Sequence, residues 1–219
     1  MKQELKDALQ KWPVELQSQS SHDTETLCES VFRIILAQNS NPSLAEKAVQ
    51  HFKTRGLMNE TSLQNFSIDE LERELQVIAP FKRQALKIYK LFKTLQKQDF
   101  KLEDLCVLST TRLREWLQAI SGLGIETCDT LMLYVFARPV FAVDTGIHRI
   151  MRRHRLIAED ADYFTLQDDC LKHFESDVSE MQIHQHKMNA VGSQFCKKTN
   201  PDCSACPLRD VNGGPWLDS

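Results

Sequence analysis

Between residues 24 and 38, apolar side chains fall at Leu27, Val31, Ile34, Ile35 and Ala37, the three- and four-residue spacing that lines one face of a helix. Asp23 or Thr24 supplies the expected N-cap, since a short side-chain oxygen can accept one of the free N–H groups of a first helical turn. The same period predicts helices over residues 42–52, 69–78, 83–96, 111–119, 126–138, 145–155, 163–174 and 179–192. No segment alternates convincingly with the period of two that a half-buried strand needs. Gly and Pro are confined to a few joints, and no low-complexity stretch or long linker interrupts the pattern. The expected fold class is all-α.

Composition adds limits. A chain of 219 residues, 42% hydrophobic and 26% charged, can bury one large core or two small ones. The first residues are charged every few positions, and no run approaches the roughly 18 apolar residues of a membrane span. A cytoplasmic monomer without a membrane partner is expected. The net charge of −3 gives no overall footprint for nucleic acid. Its distribution is uneven, however. Residues 81–101 hold seven basic groups against one acid, residues 149–155 hold four arginines and no acid, and residues 158–180 hold eight acids against one lysine. A chain of this kind can be acidic overall and still offer phosphates a basic face, although each run alone also reads as a solvated helix face.

Two short stretches carry candidate chemistry. In Ile120-Ser121-Gly122-Leu123-Gly124-Ile125-Glu126, one helix ends, two glycines flank an apolar residue, and a second helix begins at once. Glycines allow positive φ and close backbone approach, and the free N–H groups of the second helix can donate to a phosphate oxygen. A plain αα-corner has the same pattern. In Phe141-Ala142-Val143-Asp144-Thr145-Gly146, the aspartate follows an apolar stretch and precedes a helix. As an N-cap it would be held ionised at the positive end of the helix dipole. A carboxylate fixed there can stabilise the cationic sugar that forms as a glycosidic bond breaks, or orient water.

Leu36-Ala37-Gln38-Asn39, the 122–124 hairpin, Val143-Asp144-Thr145 with Arg149 after it, and the C-terminal cysteines occur in one order over residues 24–207. This ordered set resembles the helix-hairpin-helix DNA glycosylase superfamily, specifically its endonuclease III branch. The resemblance implies two helical domains with a DNA cleft between them. Residues 22–138 would form a barrel carrying the hairpin, and residues 1–21 with 139–219 the second domain. It implies double-stranded DNA containing a damaged base as partner, and a flipped base, because the bond to be cut is out of reach inside the stack. Asp144 is then the catalytic carboxylate, Gly122, Leu123 and Gly124 clamp the backbone, and Gln38 fills the gap left in the duplex. Asn39 supports that loop, and Arg149, Arg152 and Arg153 support the site or its DNA contacts. The motif also suggests a monovalent cation on the hairpin carbonyls.

Two departures from the family pattern shape the expected activity. Endonuclease III carries, in the second hairpin helix, a lysine that forms a Schiff base with the sugar and allows strand cleavage. Glu126 occupies that position, eighteen residues before Asp144, and no lysine lies between Lys101 and Lys172. A monofunctional glycosylase that uses water is therefore expected, with Glu126 as a second catalytic carboxylate and the alkylpurine (3-methyladenine) enzymes as the most similar branch. A lysine brought in by the fold would instead give a bifunctional glycosylase/lyase, and a chain that has lost catalysis would be a DNA-structure binder. The second departure is in the metal loop. Cys196, Cys203 and Cys206 match three thiolates of the family's [4Fe–4S] loop, but the fourth position is Asn212. A three-thiolate cluster, a zinc site completed by His184 or His186, and a metal-free loop all remain open.

Overall fold

The computed structural model describes residues 2–13, 26–38, 40–174 and 177–216. In chain order the helices are α1 (Lys2–Lys11), α2 (Leu27–Ala37), α3 (Pro42–Thr54), α4 (Glu60–Asn65), α5 (Ile68–Gln76) and α6 (Lys82–Gln98). They continue as α7 (Leu102–Cys106), α8 (Thr110–Gln118), α9 (Ile125–Tyr134), α10 (Thr145–Arg153), α11 (Tyr163–Phe174) and α12 (Val178–Gln194). A 3-10 turn covers Val211–Gly213. The described residues contain no strand, so the fold is all-α as the periodicity requires. One start differs from expectation. The cap of α2 is Thr26, whose hydroxyl accepts from Glu29 N at 3.2 Å; Asp23 and Thr24 lie outside the described residues. Both α4 and α7 are too short to display a 3.6-residue period. Side-chain caps mark their starts instead, with Asn59 accepting from Ser62 N at 2.8 Å and Lys101 N donating to Asp104 at 2.8 Å.

The chain divides into two compact units, Ser20–Arg138 and Met1–Gln19 with Pro139–Ser219. In the first, α2, α3 and α6 bury their apolar faces together, with Phe32 and Phe52 in ring contact at 4.7 Å between centroids. Helix α9 buries residues on most of its circumference, including Thr127, Cys128, Asp129, Leu131 and Met132, so it is the central helix of this unit. In the second unit, α1, α10, α11 and α12 close on Leu5, Leu9, Phe141, Ile147, Ile150, Leu166 and Met188. Phe141 and Phe174 stack there with centroids 5.3 Å apart. No helix among the described residues is long and apolar enough to cross a membrane.

Candidate functional site

The hairpin joins α8 to α9 in the first unit. Gly122 takes φ +99°, a conformation L side chains rarely adopt, so glycine is required there. Gly124 does not use that freedom. Its φ is −68°, and a Cβ on it would meet nothing within 4 Å. What a glycine offers at 124 is open space in front of the first turn of α9, which has no side-chain cap. The N–H groups of that turn are thus available to an acceptor, and the helix dipole favours an anion. The hairpin is stiffened by Arg114 on α8, whose guanidinium meets the fully buried Asp129 carboxylate of α9 at 3.0 Å. Glu126 sits half-buried in the first turn of α9.

Gln38 ends α2 next to this helix. Its Oε1 accepts from Lys87 Nζ at 3.1 Å and from the Thr127 hydroxyl, and its carbonyl accepts from Gln84 Nε2 at 3.1 Å. Lys87 Nζ also donates to Thr127 Oγ1 at 3.3 Å. Three elements that are remote in sequence, α2, α6 and α9, therefore converge on one amide. Burial pushes the Lys87 ammonium below its ordinary value, and the charge of Glu126 nearby opposes that push. Lys87 was invisible to sequence reasoning. It lies 49 residues from Gln38 and 40 from Thr127, on a helix whose lysines all read as a solvated face. Asn39 lies outside the described residues.

Asp144 belongs to the second unit. It caps α10 with extended backbone, and its carboxylate accepts from Ile147 N at 2.6 Å. The apolar stretch before it is buried and lies in neither a helix nor a strand, so side chains satisfy its backbone. Gln185 on α12 pairs with Ala142 as a strand would, accepting from its N–H at 3.0 Å and donating to its carbonyl at 2.7 Å. Gln167 on α11 donates to the Phe141 carbonyl at 2.6 Å, and the Tyr163 hydroxyl accepts from Val143 N at 3.3 Å. After Asp144, Gly146 lets α10 approach α12 closely. A Cβ at Gly192 would stand 3.3 Å from Gly146 Cα, and one at Gly146 would stand 3.1 Å from the Asp144 carboxylate. The carboxylate is therefore set by a capped helix, a clamped strand-like segment and a close helix crossing.

No family model matches the chain. A protein of Methanocaldococcus jannaschii assigned as a DNA repair glycosylase is 26% identical over 188 residues, 85% of each chain. Endonuclease III of Sulfolobus acidocaldarius is 26% identical over 188 residues, 85% of this chain and 82% of that one. Among solved structures, endonuclease III in a trapped covalent intermediate with DNA gives a TM-score of 0.71 at 21% identity, covering 97% of both chains. The H. pylori 3-methyladenine DNA glycosylase bound to 1,N6-ethenoadenine gives 0.65 at 19% identity, covering 88% of this chain and 97% of that one. The chain is thus similar in sequence to DNA glycosylases of the endonuclease III type, and its fold is that of the endonuclease III-like helix-hairpin-helix glycosylases.

Arg149 Nε donates to the Cys196 carbonyl at 2.6 Å and Arg149 Nη2 to Gly192 O at 3.2 Å. Arg153 donates to Cys196 Sγ at 3.4 Å, Lys197 O at 2.8 Å and Lys198 O at 3.2 Å. The sequence assigned both arginines to the site or to DNA; these bonds place their guanidinium groups on the cysteine loop. Arg152 pairs with Glu159 at 3.4 Å on the surface. Asn212, at the position the sequence left without a fourth cysteine, has φ +51° and donates from Nδ2 to His154 O at 2.7 Å. Cys206 Sγ accepts from Leu208 N at 3.4 Å, and burial pushes its thiol up. His184 is buried against Phe174, with ring centroids 4.8 Å apart. Among the described residues no three His, Cys, Asp or Glu groups gather as a metal set. This donor set does not fit a [4Fe–4S] cluster or a zinc ion.

The hairpin does not fit a cation well either. The Ile120 carbonyl accepts from Leu123 N at 3.0 Å, and the Lys90 ammonium stands 3.1 Å from the Ser121 hydroxyl at the turn. A positive group already at the turn disfavours a monovalent cation beside it.

Proposed function

We propose that this protein is a monofunctional DNA glycosylase that hydrolyses the N-glycosidic bond of a flipped base, an alkylated purine in preference to others. The observation that carries the reading is Glu126 in the first turn of α9, where endonuclease III has its lysine. A carboxylate cannot form a Schiff base, so water is the nucleophile and strand scission does not accompany base loss. Asp144, ionised at the N-terminus of α10, stabilises the developing positive charge on the sugar. The open first turn of α9 binds a phosphate of the same strand, and Gln38 enters the space the base has left. Glu126 orients water or the base. Arg152 contributes to DNA binding from the surface of α10. Likeness to a 3-methyladenine glycosylase supports the alkylpurine preference. The test is incubation with methylated duplex DNA and, separately, with oxidised duplex DNA, followed by chromatography of the free bases. Release of methylated purines is expected, and release of none with oxidised pyrimidines released instead would reject the branch.

A second reading has its own observation. Lys87 Nζ reaches the residue next to Glu126, so the fold brings an amine to the hairpin helix after all. If Lys87 attacked the sugar, the protein would be a bifunctional glycosylase/lyase like the endonuclease III it resembles. Borohydride trapping on lesion-bearing DNA decides. A covalent adduct lost in Lys87→Met selects this reading, and no adduct selects hydrolysis.

A further inference from the structure

The amide of Gln38 has its orientation forced by its partners. A lysine ammonium can only donate, so the atom it meets at 3.1 Å must be the amide oxygen and not the nitrogen. The Thr127 hydroxyl donates to the same oxygen, which fills both of its lone pairs. Gln84 meanwhile fixes the Gln38 backbone from a position one turn before Lys87 on α6. What remains is the NH2 group, and among the described residues nothing accepts from it.

We propose that Lys87 and Thr127 hold Gln38 with its donors outward, and that this gives the protein a preference for cytosine opposite the excised base. The proposal rests on the reading of Gln38 as the side chain that fills the duplex. The Watson–Crick edges of the four orphan bases differ in what they can accept. Cytosine presents N3 and O2 as neighbouring acceptors. Thymine separates its two acceptors by an N–H, and adenine and guanine each offer one acceptor beside donors. A side chain that can only donate matches cytosine best, and it leaves unpaired donors facing guanine and adenine. The base removed opposite cytosine is then a modified guanine, which narrows the alkylpurine class to guanine derivatives. Lys87 acts here as a positioning residue, because it never touches the orphan base.

Binding constants separate this proposal from the reading beneath it. The probes are five duplexes of one sequence: an intact one, and four with a tetrahydrofuran abasic analogue opposite A, C, G or T. The wild-type protein should bind abasic duplexes more tightly than the intact one, and the cytosine duplex about threefold to tenfold more tightly than the others. Lys87→Met frees the amide to turn over and should flatten the series. Gln38→Glu keeps an acceptor for Lys87 and removes the donors, so it should flatten the series while preserving the fold. A flat wild-type series, or a cytosine preference that survives in both variants, overturns the proposal and leaves the glycosylase reading standing. Abasic duplexes bound no better than the intact one would remove the glycosylase reading and the proposal with it.

Discussion

At the scale of single residues, the proposed chemistry depends on what crowds or clamps the Asp144 carboxylate. Asn caps helices as well as Asp does, so Asp144→Asn removes the charge and leaves α10 in place. Gly146→Ala tests the same carboxylate by crowding. The new methyl would stand 3.1 Å from Asp144 Oδ1, so the carboxylate must shift by a few tenths of an ångström against its bond to Ile147 N. Replacing a helical glycine gains about 1 kcal/mol of helix propensity, which offsets part of the crowding. The expected result is a base-release rate down about tenfold or more with a nearly unchanged urea midpoint, since misplacing a catalytic group by a fraction of an ångström is costly. Equal rates for the two proteins would show that the position of this carboxylate is not critical. The place of Asp144 as the cap of α10 was legible in the sequence, because a polar residue between an apolar run and a helix start has few other places to go. The glutamines that hold the run were not. Gln185 acts on Ala142 from 43 residues away, and its position on α12 carries no local mark.

At the scale of elements, the sequence announces helices by period and joints by glycine, and what it hides is how helices are locked to one another. The 3.6-residue pattern gave away α2, α3, α6 and α10, and the Gly-Leu-Gly turn gave away the α8–α9 hairpin. The Arg114–Asp129 pair that locks this hairpin reads in sequence as ordinary surface charge, yet Asp129 is wholly buried. The segment before Asp144 offers a sharper test. Leu at 185 keeps the volume and leaves the Ala142 N–H and carbonyl without partners in a buried place. Gln185→Leu should therefore cost about 3 kcal/mol in denaturant unfolding, and should lower base release further than the stability loss explains. Unfolding at the wild-type midpoint would mean that these backbone groups find other partners.

At the scale of the whole molecule, the cysteine loop and the histidines near it are held by side-chain bonds and burial. Arginines of α10 and the Asn212 amide tie the loop to the second unit through carbonyls and one thiol. The missing fourth cysteine was plain in the sequence. The bonds that Arg149, Arg153 and Asn212 make in this region were not, because arginines in a basic run read equally well as DNA contacts. His154 donates from Nδ1 to the Val211 carbonyl at 3.0 Å in this region, and burial pushes His154, His184 and His186 below the ordinary histidine value. Their depressed values mean that the unfolded chain takes up protons first as pH falls. Stability is full above the ordinary histidine pKa of about 6.5 and declines as pH drops below it. The urea midpoint should be lower at about pH 5.5 than at about pH 7.5, and His154→Asn should shrink the difference. A midpoint that rises on acidification would contradict burial of these rings in the neutral form.

The proposed reaction removes a base with Asp144 and water and leaves the strand intact. The direct measurement is strand breakage of a duplex carrying one alkylated guanine opposite cytosine, with and without hot alkali, for the wild-type protein and Asp144→Asn. Breaks that appear only after alkali, and that fall about a hundredfold or more in the variant, are the predicted result. Breaks without alkali, or alkali-dependent breaks that persist at full rate in the variant, would contradict it.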